Sequence, residues 1–324
     1  MMERAADPPL LKVHRDTAWS LSAAFVAMVA LFAVAPFVVY PVFVMNALCF
    51  ALFACAFNLL IGYVGLISFG HALFFGWASY LSAYTAKRWG APPELAVLIG
   101  TTSAAVLGLV AGGIAIRRQG IYFAMITLAL AQMMYFFALR APFTGGEDGI
   151  QAVPRGRLFG RFDLSDELTM YAFVLVVVLA GFLFIYRIIN SPFGEVLKAI
   201  RENEQRAISL GYKTDRYKLV AFVLSATLAG LAGSLKALVF QLASLTDVHW
   251  TMSGDVVLMT LLGGLGTVFG PLVGAFLVVA MQNYLAPVVG QWVLVIQGAI
   301  FVVCVLVFRR GIVGELAKCL RVRL

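Results

Sequence analysis

The chain has 324 residues, 62% of them hydrophobic and only 12% charged, where an ordinary soluble domain carries roughly 25% charged residues. That balance excludes a soluble globular domain and points to an all-α integral membrane protein. The net charge of +8 does not argue for nucleic acid, because Lys and Arg gather at the ends of apolar runs, where they act as topology signals and lipid headgroup contacts.

A span needs roughly 20 apolar residues to cross the hydrocarbon core. In chain order, residues 1–17 read as a polar cytoplasmic tail, too long in its polar part for a signal peptide. Apolar runs follow from Trp19 to Tyr40, Val42 to Ile61, Leu66 to Ala86, Leu95 to Ile116 and Ile121 to Leu139. A polar stretch at 141–167 reads as a periplasmic loop. Further runs cover Leu168 to Ile189, Leu219 to Gln241 and Val288 to Phe308, with a basic cytoplasmic tail at 309–324. Together they form one transmembrane domain over residues 1–324, a polytopic helical bundle of about eight to ten segments.

One run resists that reading. Gly254 to Leu285 is too long for one crossing and short for two, and its middle, LLGGLGTVFGP, is glycine-rich. Loop Lys and Arg favour the cytoplasm. If the N-terminal tail and the insert at 190–218 are inside, a single crossing here would send Arg309 and Arg310 outside. The segment is therefore expected to be broken near Gly263–Pro271, as two shortened helices or a re-entrant pair. Irregular backbone at that depth is tolerated when buried in protein or lining a cavity, which makes Gly263, Gly264 and Gly266 candidates for a translocation path. Gly108 and Gly112, Ala226 and Gly230, and Gly266, Gly270 and Gly274 have the spacing for close packing within the bundle.

The insert reads NSPFGEVLKAIRENEQRAISLGYKTDRYK. Ser191 and Pro192 suit an N-cap and first turn, and Gly211 a helix end. Val196, Leu197, Ile200, Ile208 and Leu210 make an interrupted apolar stripe, so a short amphipathic helix is expected, either docking a soluble partner or lying on the membrane surface. Ala199, Glu202 and Arg206 share one face, Lys198, Arg201 and Gln205 the next.

Missing chemistry narrows the class. No Lys follows a Gly, so no GxxxxGK[ST] phosphate loop exists and nucleotide is not hydrolysed by that route. The histidines (His14, His71, His249) and cysteines (Cys49, Cys55, Cys304, Cys319) show no metal-ligand spacing, and no disulfide framework, metal or cofactor is expected. Lys236 and Asp255, near the outer ends of their spans, are expected to snorkel to water. His71 is either a helix-packing hydrogen-bond partner or a path residue. A break at Gly62 to Gly65, with Asn58, Ser68 and His71 nearby, would expose helix N–H donors to a carboxylate.

Four stretches carry a resemblance: NLLIGYVGLISFGHALFFGWASY (Asn58 to Tyr80), TGGEDGI (Thr144 to Ile150), KAIRENEQRAISLGYKTDRYKLVAFVLSATLAGLAG (Lys198 to Gly233) and LLGGLGTVFGPLVGA (Leu261 to Ala275). In this order they resemble the membrane subunits of bacterial ABC importers for branched-chain and other hydrophobic amino acids, of the LivM type, from about Val42 to Gly311. That family often has glutamine where this chain has Leu66. The resemblance implies a non-catalytic inner-membrane permease, and the charge bias puts both termini in the cytoplasm. Its implied partners are a second, LivH-like permease, two cytoplasmic ATPases that bind the ATP, a periplasmic binding protein and the lipid bilayer, with no nucleic acid. It also implies a coupling helix over Glu195 to Gly211, with Lys198, Ala199, Arg201, Glu202, Asn203, Glu204 and Arg206. Urea, amides or aromatic acids are alternative substrates within the class; a self-sufficient carrier or channel and a membrane-embedded enzyme are rivals from outside it.

Overall fold

The computed structural model describes residues 25–307 and 311–319. The N-terminal tail, the start of the first apolar run, Arg309, Arg310 and residues 320–324 lie outside the described residues. Helices dominate: α1 (Phe25–Val38), α2 (Pro41–Tyr63), α3 (His71–Arg88), α4 (Pro93–Ala115), α5 (Ile121–Arg140), α6 (Glu167–Ile189), α7 (Pro192–Glu202), α8 (Glu204–Ser209), α9 (Thr214–Phe240), α10 (Trp250–Gly263), α11 (Gly270–Val289), α12 (Val293–Val307) and α13 (Gly311–Cys319). Six of them, α2, α4, α5, α6, α9 and α11, are long and apolar enough to cross a bilayer. The shorter or more polar α1, α3, α10 and α12 pack among these, so the fold is a polytopic helical membrane bundle.

At the centre lies α2, apolar on every side and almost wholly buried, because α6, α9, α10 and α11 surround it. Helix α9 packs against α2, α3 and α4 at close range, and small residues permit it. A Cβ on Gly230 would collide with that of Ala104, and one on Gly233 with the Phe75 carbonyl. The Gly108 and Gly112 pair faces Ala226, Leu219 and Phe222 of α9, so this spacing serves packing inside the chain.

The polar stretch at 141–166 folds as a cap over one end of the bundle. It holds a short antiparallel hairpin, Arg157–Leu158 with Phe162–Asp163, and a backbone bridge from Ile150 to Ala243. The Thr144–Ile150 motif turns through left-handed glycines at 145, 146 and 149. Its Thr144 hydroxyl binds the carbonyls of Ala138 and Ala141, closing the end of α5. Asp166 then caps α6, where its carboxylate accepts from the Thr169 hydroxyl and amide at 2.7 and 3.0 Å; those bonds hold it below the usual carboxylate range.

Several expectations are corrected. The third apolar run becomes helical only at His71, because Gly65 at φ +82° ends α2 and Val64 to Gly70 is irregular. The break accordingly lies after Gly62, which is still helical. Lys236 does not snorkel: its ammonium lies 2.6 and 2.7 Å from the two oxygens of buried Asp247, carried by a turn after α9. Asp255 faces inward too, toward the Gln282 and Gln297 amides of α11 and α12 at 3.5 and 3.4 Å. In both cases a carboxylate or amide from a neighbouring element offers what water would have supplied.

Candidate functional site at the junction of two broken segments

The insert is two helices, not one. Ser191 accepts from the Gly194 amide and Pro192 opens the first turn of α7, as the residue types dictate. The chain then extends at Asn203 (φ −156°, ψ 97°), whose side chain caps α8 by accepting from the Arg206 amide at 3.0 Å. Asn203 is an N-cap in mid-insert, a signal legible in the sequence that the single-helix reading passed over. Gly211, at φ +89°, follows α8 with open space around it.

Leu197 and Ile200 bury one face of α7, while Glu195, Ala199 and Glu202 present the opposite face to solvent. Lys198 pairs with Glu195 at 2.8 Å along the surface. Glu204 does not face outward as a docking charge: it pairs with Lys218, only 3% exposed, and so ties α8 to the start of α9. Arg206 is exposed. The expected set therefore divides into an outer face and groups spent on holding the insert to the bundle.

The expected break between α10 and α11 is present at 264–269, with Gly264 and Gly266 at φ +127° and +72°. Gly263 approaches the Gly270 carbonyl, and Gly274 the Met259 carbonyl, so closely that any Cβ would collide; the two helices form a tight hairpin. At 14 residues, α10 is about 21 Å long. The hairpin turns beside the last turns of α2, where Asn58 satisfies it from both ends of one amide. Its Nδ2 donates to the Thr267 carbonyl at 2.9 Å, and its Oδ1 accepts from the Gly266 amide at 3.0 Å. Backbone groups freed from a helix in low dielectric need such partners.

Arg201, expected among the docking charges, is exposed along the insert but reaches one guanidinium nitrogen to the bundle. It donates from Nη1 to the carbonyl of Gly62, in the last turn of α2, where the helix leaves carbonyls without partners. Gly65 and Gly266 clear its path: Cβ atoms there would lie 3.2 Å from Arg201 Cγ and Nη1 respectively. Asn58, Gly62, Gly65, Gly266 and Arg201 thus meet in one junction. Gly264 lies against the backbone of Gly311, which brings the chain after α12 to the same side of the bundle as the insert.

Ser68 and His71 lie deeper and are wholly buried. The His71 ring is 3.0 Å from Ser68 Oγ and 2.8 Å from Ser225 Oγ, and Ser225 in turn donates to the Ala56 carbonyl at 2.6 Å. Phe57, Phe74 and Phe222 meet the ring edge-on. The amide donors expected to greet a carboxylate here are occupied: Phe69 N–H by Thr127, Gly70 N–H by Ser68 and Ala72 N–H by Ser253. Sequence reading missed Thr127, Ser225 and Ser253, whose only signal was a hydroxyl in an apolar helix.

Discontinuous helices meeting under a polar insert define a polytopic membrane protein of the kind in which broken helices lie in the interior. Residues 40–305 match the family model for the permease component of branched-chain amino acid transport systems, and the chain belongs to that family. The high-affinity branched-chain amino acid transport system permease protein LivM of Escherichia coli (strain K12) is 28% identical over 249 residues, 70% of this chain and 59% of that protein. Its Salmonella typhimurium counterpart is 30% identical over 254 residues, with the same shares, and the ribose import permease protein RbsC of Bacillus subtilis is 28% identical over 196 residues, 56% of this chain and 58% of that one. The chain thus spans about 59% of the length of the first two relatives. No solved structure matches it significantly.

Proposed function

We propose that the chain is the permease subunit of an ATP-driven inner-membrane importer for branched-chain amino acids. It forms the path with a second permease and is driven by two separate cytoplasmic ATPases that bind the ATP; a periplasmic binding protein delivers the substrate. Family membership and the LivM relatives support the class and the substrate. The observation that carries the coupling role is α7: one face is buried on the bundle and the other, with Glu195, Ala199 and Glu202, is open, on the side where both broken segments meet. On this reading the insert and the chain after α12 are cytoplasmic, the 141–166 cap is periplasmic, and substrate passes beside Asn58 and the Gly264–Gly266 turn, with Ser68 and His71 as buried support behind that wall and not as contacts of the substrate.

Ala199→Trp and Glu202→Lys test the coupling face. Both side chains are exposed, so membrane abundance should stay near that of the parent while uptake collapses and substrate-stimulated ATP hydrolysis falls. Full uptake in both variants would make α7 a surface helix only. Likeness to a ribose permease keeps a second substrate class in view within the same importer type. Competition of labelled leucine uptake by unlabelled amino acids, ribose, urea, amides and aromatic acids separates these readings.

A further inference from the structure

We propose that Arg201 is the positioning residue through which α7 moves the two broken segments, and that it does not contact the ATPase. The inference rests on the coupling role given to α7 and names the link inside this chain. Three observations carry it. The guanidinium binds the Gly62 carbonyl at the end of α2, where a cation also complements the negative end of the helix dipole. Its stem runs along Gly65, the left-handed residue that ends α2 and starts the first break. Its Nη1 sits against Gly266, the residue of the second break that Asn58 holds by its amide. A single side chain of the insert therefore touches the start of one break and the middle of the other. Leu197 and Ile200, buried on the same helix, seat α7 on the bundle beside Arg201.

The chemistry explains the residue type. Arginine is charged at any working pH and its planar fork fixes direction as well as distance, whereas a lysine ammonium offers a point charge on a looser stem. Glycines at 65 and 266 leave the space that the stem and fork occupy. If α7 is displaced when the ATPases close, the Gly62 carbonyl and the Gly266 turn are pulled together, and Asn58 transmits the pull to Thr267 and so to the start of α11.

The test uses the full complex in proteoliposomes, with uptake and ATP hydrolysis measured on the same preparation and ATPase co-purification as a control. Arg201→Met should keep ATPase association and hydrolysis within about twofold of the parent while uptake falls about tenfold or more, raising the ATP spent per substrate. Arg201→Lys, which keeps the charge without the fork, should recover part of the uptake. Loss of ATPase association in Arg201→Met would make Arg201 a docking residue and overturn the proposal. A parallel fall of uptake, hydrolysis and abundance, with an unchanged ratio, would make it a stability residue and overturn it equally. Hydrogen exchange supplies a readout that does not depend on the transport reading. In Arg201→Met the amides of 64–66 and 264–267 should exchange faster, with those near His71 unchanged; unaltered exchange at both breaks would sink the link even if transport proved to be of another kind.

Discussion

The deep end of the first break and the turn of the second face the same physical problem and solve it differently. Around Ser68 to Ala72 the freed backbone groups are met by hydroxyls of α5 and α10 and by Ser68 itself, while the His71 ring joins the segment to α9; all of these groups are buried in the bundle. The 264–269 turn is met by Asn58 from α2 and flanked by Arg201 from the insert. A closed network of buried bonds resists displacement because moving one member leaves buried partners unsatisfied. A turn that leans on a side chain from a water-facing helix can follow that helix. On the role proposed for Arg201, the difference divides the interior into a fixed half and a half that responds to the insert.

The strongest way to break that division is Asn58→Leu. It leaves the Gly266 amide and Thr267 carbonyl without partners in a low-dielectric setting, at about 1–3 kcal/mol for each group. Thermal unfolding of the purified protein should show a loss of roughly 2–6 kcal/mol and uptake should vanish. Exchange protection around His71 should persist if the two halves are separate, and its loss would merge them.

His71→Ala probes the fixed half. Removing a buried ring from a cage of Phe57, Phe74 and Phe222 should cost roughly 2–4 kcal/mol by cavity formation and lost bonds. Uptake per folded molecule should stay near that of the parent. A fall in uptake at unchanged melting temperature would put His71 on the path and blur the division.

Gly266→Leu sharpens the comparison from the other side. A side chain at φ +72°, beside Arg201 Nη1 and the Gly62 carbonyl, should cost roughly 1–3 kcal/mol by overpacking and backbone strain. The expected signature is a modest shift in melting temperature with a disproportionate loss of uptake, because the affected contacts belong to the responsive half.

Apolar run lengths and glycine placement made much of the fold legible. Composition alone placed the chain in the membrane, and the parity needed by the basic C-terminal residues required the Gly254 to Leu285 segment to turn. Gly311 lies against Gly264, so the chain after α12 arrives at the turn of that hairpin. The outer face of α7 was legible from its 3.6-residue period, since burial of Leu197 and Ile200 forces Ala199 and Glu202 outward. The candidate site was less so. Its glycines and Asn58 could be picked out as unusual groups in apolar helices, but not what they touch, because Asn58 and Thr267 lie 209 residues apart.

Length and composition were enough to mark the segments apolar enough for a bilayer and the break within Gly254 to Leu285, but not the start of α3 at His71 or the division of the insert into α7 and α8. What they marked depends on local hydrophobicity and φ, both set within a few residues. Only the tertiary structure decided which polar groups answer one another: Lys236 with Asp247, Lys218 with Glu204, Arg201 with Gly62. For Lys236 and Lys218 the choice follows from one cost, since a charge held in the bundle must find a partner, and which partner lies within reach is fixed by how distant helices pack.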